Sequence, residues 1–325
     1  MKLEMRRLGL GCVVFVSVFS AAAAVGACGD RTGLLVDDVG FFAGLNDGGR
    51  DAPFDVAVDV LHDVLPPIDV SHPDVDRKDC PDADSTLVYV ITEQYVLYSF
   101  NPPTAEFRQI GKIACPTVDP TATPFSMAVD RKGVALVVFN DGRLYRVSTA
   151  TAACQSTPFA PGQAGFTTFG MGYAKDIDGP GETLYVASDN GQGQGASRLA
   201  SIDKNYVLHP IAPFSPQILR AELTGTGAGE LFAFYADGPM SRDSFIGQID
   251  KKTARVVGET RLTDVDQGTG WAFAFWGGDF YTFTAPTPGG SEVTRYRPAD
   301  NSIKTVTSLA NVIVGAGVST CAPQG

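Results

Sequence analysis

Histidine is almost missing from this chain of 325 residues: there are three, His62, His72 and His209. His62 and His72 lie in a Pro- and Asp-rich stretch, so a Ser-His-Asp triad or a His-built zinc site would rest on His209 alone. That residue precedes Pro210 in what reads as an outer strand, the setting of an ordinary surface side chain. There is no Cys-x-x-Cys pair, no glycine-rich phosphate loop after a strand and no Gly-x-Ser-x-Gly elbow. Basic charge is short as well, with 25 Lys and Arg against 36 Asp and Glu. This balance argues against nucleic acid or an anionic membrane surface as a partner. No helical period of any length runs through the sequence.

The acid is concentrated at one end. Residues 29–84 hold 14 Asp, no Glu and four basic groups, a net of −10, whereas residues 85–325 carry 18 basic and 21 acidic groups, a net of −3. An Asp-Val refrain (Asp55-Val56, Asp59-Val60, Asp63-Val64, Asp69-Val70, Asp74-Val75) is broken by Pro53, Pro66, Pro67 and Pro73. Such a segment repels itself and buries no face, so residues 28–84 are expected to be a disordered acidic linker. Residues 74–84 loosely resemble an Asp-rich calcium loop, but they lack the Gly and the terminal Glu that close one. Calcium is therefore the one ion that enters as a candidate, and otherwise no cofactor is expected.

Upstream, Lys2, Arg6 and Arg7 precede an apolar run from Leu8 to Ala24 that suits a secretory signal over residues 1–27 better than a membrane span. The run closes on Val25-Gly26-Ala27-Cys28, which resembles the lipobox of bacterial lipoproteins. That resemblance implies cleavage before Cys28, acylation of its thiol and a tether to the bacterial cell envelope. The alternative is a plain secretory signal cleaved within Ala21 to Ala24.

From residue 85 onward a module repeats. Leu144-Tyr145-Arg146-Val147-Ser148 has counterparts ending at residues 101, 203, 250 and 297, so the steps are 47, 55, 47 and 47. A strand-rich unit of that length predicts propeller blades. Second strands are expected at 86–92, 134–139, 183–187, 231–235 and 279–283, and inner strands at 125–130, 169–173, 222–226 and 271–276. The missing inner strand is found at 313–319, where Gly315 and Gly317 supply the small residues that a narrow axis needs. The fold class is therefore all-β, a five-bladed β-propeller over residues 85–325 closed by a C-terminal inner strand. Longer connections at 175–182, 189–197, 236–244 and 285–291 mark surfaces able to carry function.

Setting aside Cys12 and Cys28 leaves Cys80, Cys115, Cys154 and Cys321. An even number in an exported chain suggests disulfides, and four cysteines allow three pairings. Ring closure sets Cys321 at the end of the inner strand and Cys80 just before the second strand of the same blade. Pairing them would clamp the joint, and Cys115 would then pair with Cys154; free buried thiols are the alternative.

Carboxylates are the chemistry left to consider. Asp130, Asp176, Asp178, Glu230 and Asp279 all fall at turns between first and second strands, which share one face of a propeller. Convergent acids there could hold Ca²⁺ or serve as the acid/base pair of a glycosidase, but Asp is also what tight turns require. Trp271, Phe273, Phe275, Trp276, Phe280 and Tyr281 are either core between blades or a sugar-stacking surface. Residues 123–130, 144–147 and 271–281 carry a resemblance to lipid-anchored bacterial β-propeller lipoproteins, which implies fold and location and brings no catalytic residues. The expectation is a monomeric, non-catalytic envelope lipoprotein whose propeller binds a protein or glycan ligand and meets the membrane through its lipid alone. The runner-up is an extracellular glycan hydrolase or lyase.

Overall fold

Strand follows strand from residue 88 to residue 318, because β-branched and aromatic runs alternate with Asp-, Asn- and Gly-rich turns. The computed structural model describes residues 65–68, 70, 80, 86–189, 196–238 and 241–325. Cys28, the export segment 1–27 and most of the 28–84 linker lie outside the described residues.

The first blade contains β1 (Val88–Thr92), β2 (Val96–Asn101) and β3 (Glu106–Lys112); the second is β4 (Pro124–Val129), β5 (Val134–Phe139), β6 (Leu144–Ser148) and β7 (Cys154–Ser156). The third is β8 (Thr168–Lys175), β9 (Glu182–Asp189), β10 (Arg198–Ile202) and β11 (Leu208–Pro213). The fourth is β12 (Glu222–Gly225), β13 (Leu231–Tyr235), β14 (Ser244–Ile249) and β15 (Val256–Leu262), and the fifth is β16 (Trp271–Trp276), β17 (Asp279–Thr284), β18 (Ser291–Arg297) and β19 (Ser302–Leu309). The remaining strand, β20 (Ile313–Val318), pairs antiparallel with β1, setting Val88 opposite Val318 and Val90 opposite Ala316. It completes the first sheet from the inside, so the five-bladed ring is closed by the far end of the chain.

The inner strands adjoin one another in the order β20, β4, β8, β12, β16 and back to β20. Their approach is too close for side chains at some positions. A Cβ on Gly172 would stand 2.6 Å from the Leu223 carbonyl oxygen on β12, and one on Gly317 would stand 2.7 Å from the backbone nitrogen of Val129 on β4. Glycine is there because backbone occupies the space.

Each gap between neighbouring blades is filled by its own apolar cluster, giving five small cores in place of one large one. Between the fourth and fifth blades Phe232 and Phe234 meet Phe273, Phe275 and Phe280, all essentially inaccessible. Between the fifth and first, Tyr281 and Phe283 meet Val88, Val90 and Phe100. Burying each such aromatic side chain stabilises the propeller by about 1.5–3 kcal/mol. Phe273, Phe275, Phe280 and Tyr281 thus belong to the core, while Trp271 and Trp276 remain partly exposed at opposite ends of β16.

The repeat has a backbone signature too. Ala105, Ala152, Tyr206, Ala254 and Asn301 all have φ between 55° and 63°, each in the turn from third to fourth strand. In the third and fourth blades the residue that ends the repeated pentapeptide initiates this turn: Asp203 and Asp250 accept backbone N–H groups two residues on, at 2.8 Å in both cases. The recurrence of short polar residues at the end of the pentapeptide thereby has a structural cause.

Both expected disulfides are present, Cys80–Cys321 and Cys115–Cys154, with Cα–Cα distances of 5.3 and 4.9 Å. The propeller also holds chain upstream of residue 85. The Pro66 carbonyl accepts the Glu259 N–H at 2.7 Å on the edge strand β15, and Ile68 and Val70 bury themselves in the cluster between the fourth and fifth blades.

Candidate functional site

The propeller axis has two mouths, built from opposite ends of the same inner strands. At the first lie the turns joining first to second strands, and with them all five candidate acids. Asp130 accepts the N–H groups of Lys132 (2.9 Å) and Val134 (2.8 Å). Asp176 accepts the Thr183 hydroxyl at 2.7 Å. Glu230 takes the Thr226 hydroxyl and the Gln248 amide, both at 3.4 Å. Asp279 lies between Arg297 and Arg295, with nitrogen–oxygen separations of 3.0 and 3.7 Å. Asp178 is exposed at a loop tip. The four bonded acids therefore find these partners within their own blades. Among the described residues, no three His, Cys, Asp or Glu side chains come together as a metal-holding group.

The chain's own C-terminal residues pack into the same mouth. After β20, Thr320, Ala322 and Gln324 are all buried. The Gly227 N–H donates to Gln324 Oε1 at 3.0 Å, and the Gly277 N–H donates to the Pro323 carbonyl at 2.7 Å. Thr320 Oγ1 donates to Glu182 Oε2 at 2.8 Å, and Cys321 is fixed by its disulfide. The tail is thus bonded to turns of the third, fourth and fifth blades and covalently to Cys80. Glu182 also accepts the Arg131 N–H at 2.7 Å. Burial pushes its carboxyl up to about 7 against these two hydrogen bonds, with Asp130 adding to the rise.

The second mouth is open. A cavity of about 460 Å³ lies there, lined among others by Phe125, Asn140, Arg220, Glu222, Trp271 and Val314. It is formed where the inner strands β4, β12, β16 and β20 begin and where the second strands β1 and β5 end. Glu222, the first residue of β12, is only 5% exposed. It accepts the buried Ser126 hydroxyl from β4 at 2.7 Å and a backbone hydrogen bond from Met171 on β8. One carboxyl group therefore ties three blades together at the axis. Its pKa is raised well above the ordinary glutamate range, chiefly by burial, with the nearby Asp189 adding to the rise. Arg220, two residues earlier, lays its guanidinium over the Trp271 ring, 4.0 Å from the ring centroid. Partial burial pulls the Arg220 pKa down, and the Asp189 charge opposes that shift.

No protein-family model matches this chain, and no curated protein matches it either. Solved structures do resemble it in chain trace. An exo-beta-1,3-galactanase from Phanerochaete chrysosporium is 9% identical with a TM-score of 0.43, covering 69% of this chain and 54% of that one. TolB from Acinetobacter baumannii is 12% identical with a TM-score of 0.40, covering 70% and 53%. A protein of unknown function from Bacteroides caccae is 11% identical with a TM-score of 0.38, covering 72% and 98%. The chain thus spans about half the length of the first two. None of these likenesses carries an argument about activity.

The turn carboxylates singled out by sequence point to the mouth where the tail packs and leave Glu222 unmarked. A signal for it was present: it is the sole acidic residue within the five inner strands, whose other members are apolar, small or neutral apart from Lys175. His209 sits on the outer strand β11 with its side chain 57% exposed, 3.2 Å from Asp203.

Proposed function

We propose that this chain is a lipid-anchored protein of the bacterial cell envelope, tethered through Cys28, whose propeller binds a ligand at its open axial mouth. The anchor and the location rest on the sequence alone, on the Val25-Gly26-Ala27-Cys28 ending and the acidic spacer behind it. The observation that carries the binding role is the cavity, a concave site with an aromatic wall and a few convergent polar groups. Its size suits one or two sugar rings or a protruding side chain of a protein partner. The opposite mouth has a smaller pocket, about 350 Å³, beside the Cys80–Cys321 disulfide, lined among others by Tyr89, Arg131 and Lys132.

A second reading as a glycan hydrolase has one observation in its favour. Glu222 is a buried carboxyl group lining a cavity, and burial raises its pKa, the direction that suits a general acid. The two readings separate on a glycan array incubated with the full chain. A binding module retains its glycan unchanged over hours, whereas a hydrolase releases shortened products. Asn140→Trp, placed at the cavity rim, should abolish capture. Undiminished capture by that variant would contradict a site at this mouth.

A further inference from the structure

We propose that the ligand of the open mouth carries a carboxylate, as uronic-acid sugars do, and that Arg220 is the residue that reads it. This rests on the assignment of the open mouth as the binding site. Arg220 is the one Lys or Arg side chain among the residues lining the cavity. Stacking over Trp271 occupies a face of its guanidinium and leaves the N–H groups in the plane of the fork, the geometry that meets a carboxylate in two parallel hydrogen bonds. The indole also fixes the orientation of a side chain that would otherwise lose considerable rotamer freedom on binding.

The surrounding groups fit the same ligand. Asn140 uses its side-chain oxygen to accept the Thr123 N–H at 3.0 Å, so its NH₂ group is what it has to offer. Glu222 also lines the cavity, with its Oε2 engaged by the Ser126 hydroxyl at 2.7 Å. The other acid lining the cavity is Glu93, which accepts the Gln94 amide at 2.7 Å. Its carboxyl group is an acceptor suited to sugar hydroxyls. A sugar with hydroxyls on one side and a carboxylate on the other would match acceptors and guanidinium together, where a neutral sugar would offer Arg220 no anionic group.

The test is equilibrium binding of defined hexuronate oligosaccharides of two to four units to the full chain. Carboxyl-reduced neutral oligosaccharides and sulfated neutral oligosaccharides serve as the comparison arms. The proposal predicts at least tenfold tighter binding of a hexuronate than of its neutral counterpart, weakening as salt is raised. Arg220→Gln should erase that preference, and Arg220→Lys should restore only part of it because an ammonium lacks the fork. Circular dichroism and thermal unfolding of both variants should match the parent, since Arg220 is exposed. Equal binding of acid and neutral sugars would overturn the carboxylate claim while leaving the mouth as the site. A preference for sulfated sugars would overturn the choice of carboxylate. Hexuronate binding unaffected by Asn140→Trp would remove the assignment of the mouth itself, and no binding of any hexuronate would overturn the proposal.

Discussion

The two mouths of the propeller axis are made from the same strands and differ in what occupies them. One is closed by the chain's own end, with its acids bonded into turns and a disulfide across the joint. The other is an open cavity where a buried acid and a stacked arginine converge. The contrast teaches that acidic residues on a propeller face are poor markers of function when the turns there consume them. A carboxyl group inside an inner strand is a better marker, because nothing about a strand requires it.

The largest effect expected of this contrast lies at the closed mouth. Replacing Cys80 and Cys321 together by Ser frees a 241-residue loop, and chain-entropy arguments put the loss near ~5 kcal/mol. The matching double substitution at Cys115 and Cys154 opens a span of 39 residues, for which the same argument gives about 4 kcal/mol. Urea unfolding measures both, and an unchanged midpoint in the first variant would show that the clasp carries no stability.

Next comes the pH dependence of the closed mouth. The Glu182 carboxyl has a folded-state pKa of about 7 against an ordinary 4.5, so the folded chain holds a proton that the unfolded chain releases. Its stabilising contribution is complete below pH 4.5 and is lost as pH rises towards 7 and beyond. The loss amounts to at most about 3 kcal/mol. Glu182→Gln should flatten this part of the profile, and identical slopes in parent and variant would contradict the assignment.

At the open mouth, Glu222→Ala leaves the Ser126 hydroxyl and the Met171 N–H without their partner. Thermal or urea unfolding should show a cost of about 1–3 kcal/mol. Glu222→Gln should cost less, because an amide oxygen can still accept from the Ser126 hydroxyl. If Gln costs as much as Ala, accepting these hydrogen bonds is not what Glu222 contributes at this mouth. The smallest effect concerns the strap upstream of the propeller. Ile68→Ala removes a buried side chain at the edge of the fourth blade, at roughly 2 kcal/mol. A change within about 0.5 kcal/mol, the range of an ordinary surface substitution, would show that residues 65–70 do not hold the blade.

Much of this architecture can be read from sequence, and the reason is periodicity. The pentapeptide ending in Asn101, Ser148, Asp203, Asp250 and Arg297 recurs because each copy must make the same turn. Gly315 and Gly317 point to the closing strand because only glycine tolerates that much backbone nearby. The cysteine pairing follows once the ring is closed. The site was less legible. Arg220 meets Trp271 across 51 positions of chain, and Ser126 meets Glu222 across 96, distances over which no local pattern reaches. The tail that packs into the other mouth is equally silent, since Thr320 and Gln324 are commonplace residues until a closed ring sets them over the axis.

The most direct test of which mouth binds is hydrogen–deuterium exchange on the full chain, with and without the tightest-binding glycan from the array. The account predicts added protection at residues 123–125, 140, 220–222 and 268–271 and no change at 130–134, 176–182 and 226–231. Protection confined to the second set would place the ligand at the mouth assigned to the chain's own tail and contradict the account.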